Sequence, residues 1–199
     1  QMCYFCGCNS YGIKNDHIIH DYIQALKAEI KTVVKYIDKR RPISQIHYGG
    51  GTPNAIPVKY LQEINEILLS TFPTIDKPEI AIECNPAYLT FEQMDGLKKA
   101  GFKRFSLGIQ DFNPEVLKIV NREMPGMPVK EIMDYLKKDD PEVAINLDFI
   151  YGLPKQTPTS FAWAIEQAVE LKPDRLVTFS YAHVPWVSKI QKKLEKAGI

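Results

Sequence analysis

Three of the four cysteines fall within the first eight residues, Gln1-Met2-Cys3-Tyr4-Phe5-Cys6-Gly7-Cys8, at the spacing C-x-x-C-x-C. Thiolates gathered over so few residues usually hold a soft metal, chiefly zinc or an iron–sulfur cluster. The aromatic pair between Cys3 and Cys6 argues mildly against a zinc knuckle. No second C-x-x-C or H-x-x-x-H follows to complete a tetrahedral zinc site. A disulfide is the other alternative, but the rest of the sequence reads as an intracellular enzyme rather than a small stapled scaffold. An iron–sulfur site is the reading these residues support.

A second group of chemically capable residues recurs where short apolar runs end. Gly49-Gly50-Gly51-Thr52-Pro53 follows such a run; its glycines permit positive φ and let backbone approach a ligand without a Cβ in the way. A flexible turn would look the same, and no Gly-Lys-Ser/Thr follows to make a P-loop. Glu83 ends another run as either an exposed charge or an acceptor for hydroxyl or ammonium groups. Gln110 and Asp111 end a third, and Arg122 follows in Asn121-Arg122-Glu123, where a solvated helix-end cation is the ordinary reading. Asp148 lies inside the apolar run Val143–Ile150, where a carboxylate carries a desolvation cost unless it meets a donor or a cation. Tyr151 to Thr157 and Tyr181-Ala182-His183 close the last two runs. His47 and His183 read as hydrogen-bonded strand-end residues and Cys84 as a small buried residue. His17 and His20 receive no role.

The elements that must position these residues alternate in type. Helical spacing of Ile18, Ile19, Tyr22, Ile23, Leu26, Ile30, Val33 and Val34 predicts a helix over 16–37, with Asp16 as a possible cap. Strands are predicted at 44–48, 78–83, 104–109, 143–150 and 175–181. Helices are predicted at 58–69, 91–100, 114–120, 129–137 and 160–171, with a basic helix near 189–196. Alternating strands and helices imply βα units and a parallel sheet. Five such units suit an opened (β/α) barrel, in which chemistry gathers at the C-terminal ends of the strands.

Composition narrows the class. The chain has 199 residues, 45% of them hydrophobic, enough to bury one sizeable core. Lys and Arg total 25 against 24 Asp and Glu, a formal charge of +1, with no basic run carrying interleaved aromatics. No nucleic-acid partner is expected. No apolar run reaches the roughly 20 residues that cross a bilayer, so no membrane association is expected. Clustered thiols without a disulfide pattern fit a reducing cytoplasm.

The cysteine segment resembles the cluster-binding loop of radical S-adenosylmethionine enzymes, whose signature is C-x-x-x-C-x-x-C with an aromatic before the last cysteine. Cys3 and Cys6 fit the second and third cysteines, and Phe5 fits the aromatic. Cys6-Gly7-Cys8 narrows the resemblance to the oxygen-independent coproporphyrinogen III oxidases. Five further segments agree in order and spacing: the glycine run, Ile82-Glu83-Cys84-Asn85-Pro86, Ser106 to Asn113 with Asn121-Arg122-Glu123, Asn146 to Thr157, and Tyr181 to Pro185. The resemblance spans Gln1 to about Lys196.

It implies a six-stranded partial barrel of the TIM type, a 4Fe-4S cluster ligated by Cys3 and Cys6, and two S-adenosylmethionine molecules. Phe5, Gly50, Gly51, Thr52, Glu83, Gln110 and Ala182 would contact cofactor. Arg122 and Asp148 would lie near the second S-adenosylmethionine, and Cys8 would serve catalysis rather than ligate the cluster. Lys155 is a further electrostatic candidate toward an acidic substrate. The implied reaction starts when an electron from the reduced cluster cleaves S-adenosylmethionine to methionine and a deoxyadenosyl radical. Hydrogen abstraction from a propionate of coproporphyrinogen III, with loss of carbon dioxide and an electron, leaves a vinyl group. Two such steps give protoporphyrinogen IX, with an electron donor and acceptor that remain to be identified; a monomer is expected. The rival is a haem chaperone on the same barrel, against which Cys8 and Asn121-Arg122-Glu123 argue. A structural zinc module is a distant third reading.

The family's first cysteine would stand four residues before Cys3. Residues 1–199 are thus expected to be an incomplete radical S-adenosylmethionine core, strands two to six of the barrel, without a second domain. Such a piece is expected to be inactive, with a mobile cysteine segment.

Overall fold

The computed structural model describes residues 2–8, 12–13 and 15–195. Gln1 and Lys196, the ends of the resemblance, lie outside the described residues, as does the last residue of the basic helix expected over 189–196. Five strands, β1 (Ile43–Tyr48), β2 (Thr74–Cys84), β3 (Arg104–Gln110), β4 (Ala144–Tyr151) and β5 (Arg175–Ser180), form one sheet in the order of the chain. Every adjacent pair is parallel. Helices α1 (Asp16–Val33), α2 (Val58–Thr71), α3 (Phe91–Lys99), α4 (Pro114–Ile119), α5 (Val129–Lys137), α6 (Pro158–Glu170) and the short α7 (Lys192–Glu195) intervene or follow. The sheet curls into an open half-barrel, as expected.

The two faces of the sheet have opposite chemistry. On β3 burial alternates strictly, with Phe105, Leu107 and Ile109 covered and Arg104, Ser106, Gly108 and Gln110 half-open. The covered face of β2, β3 and β4, including Ile80, Ile82, Phe105, Leu107, Ile145, Leu147 and Phe149, packs on Leu61, Met94, Leu97, Ile132 and Leu136 of the helices. Residues of the other parity point into the barrel. Register places Glu83 beside Ser106 and Ser106 beside Asn146, with Gly108 beside Asp148 one step further along. The inner face is therefore polar at the level of the strand ends. Lower down it carries Arg104, whose Nε lies 3.3 Å from Glu79 Oε1, and Gln45, whose amide donates to the same oxygen at 2.5 Å.

The expected elements are present, with local differences. α1 is capped by Asn15, whose side chain accepts from the His17 N–H, rather than by Asp16. It ends at Val33; residues Val34–Tyr36 tighten into a 3₁₀ turn, in which Tyr36 is 84% exposed. β2 begins four residues earlier than expected. The shift of its pairing with β1 between Ile43 and Gln45 accommodates Pro78, which has no N–H to donate. The basic C-terminal helix is a 3₁₀ turn at Lys189–Gln191 followed by the single turn of α7.

Between β1 and α2, the glycine loop is fastened by a buried amide. Asn54 donates to the Asn85 carbonyl at 3.1 Å and accepts from the Asn85 N–H at 2.9 Å. The loop after β1 is thereby fixed to the end of β2, where Glu83 stands.

Candidate functional site

The C-terminal ends of β1 to β4 surround one cleft of about 110 Å³, lined by Gly51, Thr52, Glu83, Ser106, Gly108, Gln110, Arg122 and Asp148 among others. Six of these were expected at a cofactor site on the strength of the sequence: Gly51, Thr52, Glu83, Gln110, Arg122 and Asp148. A larger, shallow depression of about 760 Å³ lies between the starts of α2 and α3, lined by Val58, Thr90, Glu92, Gln93, Asp95, Gly96 and Lys99. It gathers no strand-end residue and no cysteine. The smaller cleft is the one with chemistry.

Glu83 is held from two sides. Its Oε1 lies 3.2 Å from His47 Nε2, and its Oε2 accepts the Gly50 N–H at 3.0 Å. The glycine loop makes this possible. A Cβ on Gly49 would stand 2.8 Å from Glu83 Oε1, and Gly50 and Gly51 take φ of 76° and 55°, which favour glycine. His47 is thus the hydrogen-bonded strand-end residue that the sequence suggested, with Glu83 as its partner.

Two residues with side chains adopt positive φ beside the cleft, Gln110 at 70° and Asn121 at 55°. Each such residue costs about 1 kcal/mol or more, and such strain clusters at functional sites. The β3–β4 register slips between Gly108 and Gln110, which re-aims the Gln110 side chain. Arg122 follows Asn121 and is half-buried rather than solvated. Its Nη2 donates to the Gly108 carbonyl, and its Nη1 reaches Cys3 Sγ at 3.8 Å. Gly108 leaves the necessary room. A Cβ there would come within 2.8 Å of Gln110 Nε2 and 3.0 Å of Arg122 Nη2.

Asp148 finds donors but no ion-pair partner within 4 Å among the described residues. Ser106 Oγ donates to Oδ2 at 2.8 Å and Asn146 Nδ2 to Oδ1 at 2.6 Å. Burial raises the Asp148 carboxyl above its ordinary 3.8, opposed by these two hydrogen bonds, with nearby Glu83 adding to the rise. Asn146 Oδ1 is buried without a hydrogen-bond partner. A raised folded value means that the folded state favours the protonated acid. Its stabilising share is full below 3.8 and is lost as pH rises through the folded value. Asp148→Asn is therefore expected to flatten the fall in stability over that interval, whatever constant offset its altered hydrogen bonds introduce. Urea unfolding at several pH values measures the slope; parallel curves for the two proteins would contradict it.

The cysteine segment is docked, contrary to the expectation of a mobile terminus. Tyr4 N–H donates to the Val120 carbonyl at 2.8 Å, and Asn121 Nδ2 to the Met2 carbonyl at 2.8 Å. Tyr4 and Phe5 pack on Val116, Val120, Leu153 and Leu194. Cys3, Cys6, Cys8 and Cys84 are free thiols. Burial pushes Cys6 up to about 11, countered by the Cys8 N–H, which donates to its sulfur at 3.4 Å. Cys8 is exposed, and Cys84 is buried with its thiol pushed up by burial. Among the described residues no three His, Cys, Asp or Glu side chains converge as a metal site.

Phe5 and Ala182 are not among the residues that line the cleft. Phe5 is an apolar anchor of the loop, and exposed Ala182 offers its carbonyl to Gln191 Nε2 at 3.1 Å. Lys155 is exposed on the turn after β4. His183 pairs with Tyr181 Oη at 2.8 Å and with Glu195 at 3.4 Å. Sequence reasoning did not single out Ser106, Gly108, Asn146 or Gln191. For the first three a signal existed, because each shares the inward parity of Gln110 or Asp148.

A family model described as the radical SAM superfamily matches residues 1–168. The chain belongs to that superfamily. This radical SAM chain is 36% identical, over all 199 of its residues, to a Synechocystis protein named oxygen-independent coproporphyrinogen III oxidase, covering 42% of that protein. A Helicobacter pylori protein of the same name is 40% identical over 98% of the chain and 43% of its own length. The solved structure of coproporphyrinogen III oxidase from Escherichia coli, described as a radical SAM enzyme, superposes with a TM-score of 0.89 at 38% identity. That superposition covers 97% of this chain and 44% of the other. The chain thus spans less than half the length of the curated relatives it matches. A solved structure described as hexahistidine-tagged anSMEcpe with bound AdoMet, at 14% identity and a TM-score of 0.60, shares the fold. No helix among the described residues is long and apolar enough to cross a membrane.

Proposed function

We propose that this chain is the cofactor-binding part of an oxygen-independent coproporphyrinogen III oxidase, converting two propionates of coproporphyrinogen III to vinyls to give protoporphyrinogen IX. The observation that carries the reading is convergence: the glycine loop, Glu83, Gln110, Arg122 and Asp148 meet in one cleft, and Arg122 links it to Cys3. The names of the relatives supply the substrate.

The residues fit S-adenosylmethionine in chemical kind. Glu83 and Asp148 offer acceptors to ammonium and ribose hydroxyl groups, Arg122 offers a cation to a carboxylate, and the glycine loop leaves backbone accessible. Cys3 and Cys6 offer soft sulfur to iron. A bound 4Fe-4S cluster and S-adenosylmethionine would supply a one-electron cleavage that yields a carbon-centred radical for hydrogen abstraction. The chain's own part is binding and orientation. His47 and the Gly50 N–H hold Glu83, so that its remaining lone pairs face the cleft in one direction. Ser106 and Asn146 fix Asp148 in the same way. The half-buried Arg122 guanidinium places positive charge between the cleft and the cysteine loop. Cys8 is exposed, and in this reading it acts on the substrate rather than as a cluster ligand.

The test is a binding and turnover comparison in the full-length gene product, prepared and assayed without oxygen. Glu83→Gln is expected to raise the S-adenosylmethionine Kd by at least about ten-fold, the cost of losing a hydrogen bond to a charged acceptor. Turnover of coproporphyrinogen III should fall with it. Stoichiometric haem retention without S-adenosylmethionine cleavage would replace this reading with that of a haem chaperone.

A further inference from the structure

The cysteine loop is the first described segment of the chain, and what holds it in place comes partly from the last. Gln191 is 1% exposed and uses its amide three times. Nε2 donates to the Phe5 carbonyl at 2.8 Å and to the Ala182 carbonyl at 3.1 Å, while Oε1 accepts the Val184 N–H at 2.6 Å. Around it Ser188 Oγ donates to the Cys6 carbonyl at 2.8 Å. Leu194 is fully buried against the cluster that receives Tyr4 and Phe5, and Lys193 Nζ sits 4.7 Å over the Tyr4 ring.

We infer that Gln191 is a positioning residue that clasps the cysteine loop to the strand-end segment after β5, setting Phe5 and Cys6 relative to Ala182. The amide is suited to this because no other side chain of its size donates twice and accepts at once. Its burial makes each bond costly to lose, since the carbonyls of Phe5 and Ala182 would be left without a donor. The opposite side of the loop is held separately by Val120 and Asn121. Loss of the clasp should therefore loosen the loop at Phe5 to Cys8 without unfolding the barrel. The inference rests on geometry within the chain and stands whether or not the proposed substrate is correct.

Hydrogen exchange under anaerobic conditions tests it on the chain as purified, with no cluster and no turnover required. Gln191→Met keeps the size and removes both donors; Gln191→Glu keeps the acceptor for Val184 and removes the donors. Both variants are expected to speed exchange across residues 5–8, and alkylation of Cys6 by iodoacetamide, by roughly ten-fold or more. Amides of β3 and β4 should exchange as in the parent chain. The same variants in the full-length product should lose cluster iron faster to a chelator. Unchanged exchange in residues 5–8 would overturn the inference. So would a rise shared equally by β3 and β4, which would make Gln191 a general structural residue. Failure of the Glu83 binding test would leave this result untouched, so the two readings fall separately.

Discussion

Cys6→Ser in the full-length gene product is expected to reduce cluster iron to background, whereas Cys8→Ser should retain it and lose porphyrinogen turnover. The difference follows from where the two sulfurs stand. Cys6 is half-buried, on a segment held by a backbone bond from the Tyr4 N–H to the Val120 carbonyl and by side-chain bonds from Ser188 and Gln191. Cys3, on the same segment, touches Arg122. Serine offers a harder oxygen in place of thiolate, which an iron–sulfur cluster accepts poorly. Cys8 is exposed and contributes its N–H to the Cys6 sulfur, a bond that a serine keeps because it is made by the backbone. Iron and sulfide analysis of anaerobically purified variants decides the matter. Equal iron loss from the two variants would make Cys8 a ligand and remove the division of labour proposed for the loop.

The second large effect concerns the layer beneath the site. Phe149→Ala is expected to destabilise the fold by about 3–5 kcal/mol, the range for emptying a large aromatic from a packed core. Phe149 is fully buried on the helix-facing side of β4, next to Asp148. Its ring meets Phe112 edge-on at a centroid distance of 5.5 Å. Phe112 follows Gln110 and Asp111 in the turn after β3, so the same ring supports the segment that aims Gln110. Chemical denaturation measures the loss. A cost near 1 kcal/mol would mean that the turn after β3 collapses into the space, and Gln110 should then move with it.

Much of this arrangement is legible before any coordinates. Strand parity alone separates Phe105, Leu107 and Ile109 from Ser106, Gly108 and Gln110, and it puts Asp148 on the inner face. The rule that barrels gather chemistry at strand ends then places Glu83, Gln110 and Asp148 near one rim, and the resemblance is what makes them cofactor contacts. The residues that escaped did so for definite reasons. Gly108 reads as an ordinary strand glycine, because the need for its missing Cβ lies in Arg122, fourteen residues on. Gln191 sits in a lysine-rich stretch that reads as a solvated helix, and its partners are nearly the whole chain away. The docking of Cys3 to Cys8 was missed because termini order only through tertiary contacts, and those contacts have no periodicity to read. For α1 the apolar spacing is real, yet among its described residues only Ile23 is fully buried, while Ile18 and Tyr22 remain more than half exposed.

The clasp at Gln191 also bears on the order of events during synthesis. Its bond to Phe5 spans 186 residues, and the one from Ser188 to Cys6 spans 182. At about 5–20 residues per second, the cysteines emerge from the ribosome roughly 10–40 s before the residues that cover them. In that interval the sheet can grow strand by strand, because each strand pairs with the one made just before it. The thiols alone must wait. Cys3 and Cys6 are most open to oxidation until residues 188–194 close over their loop.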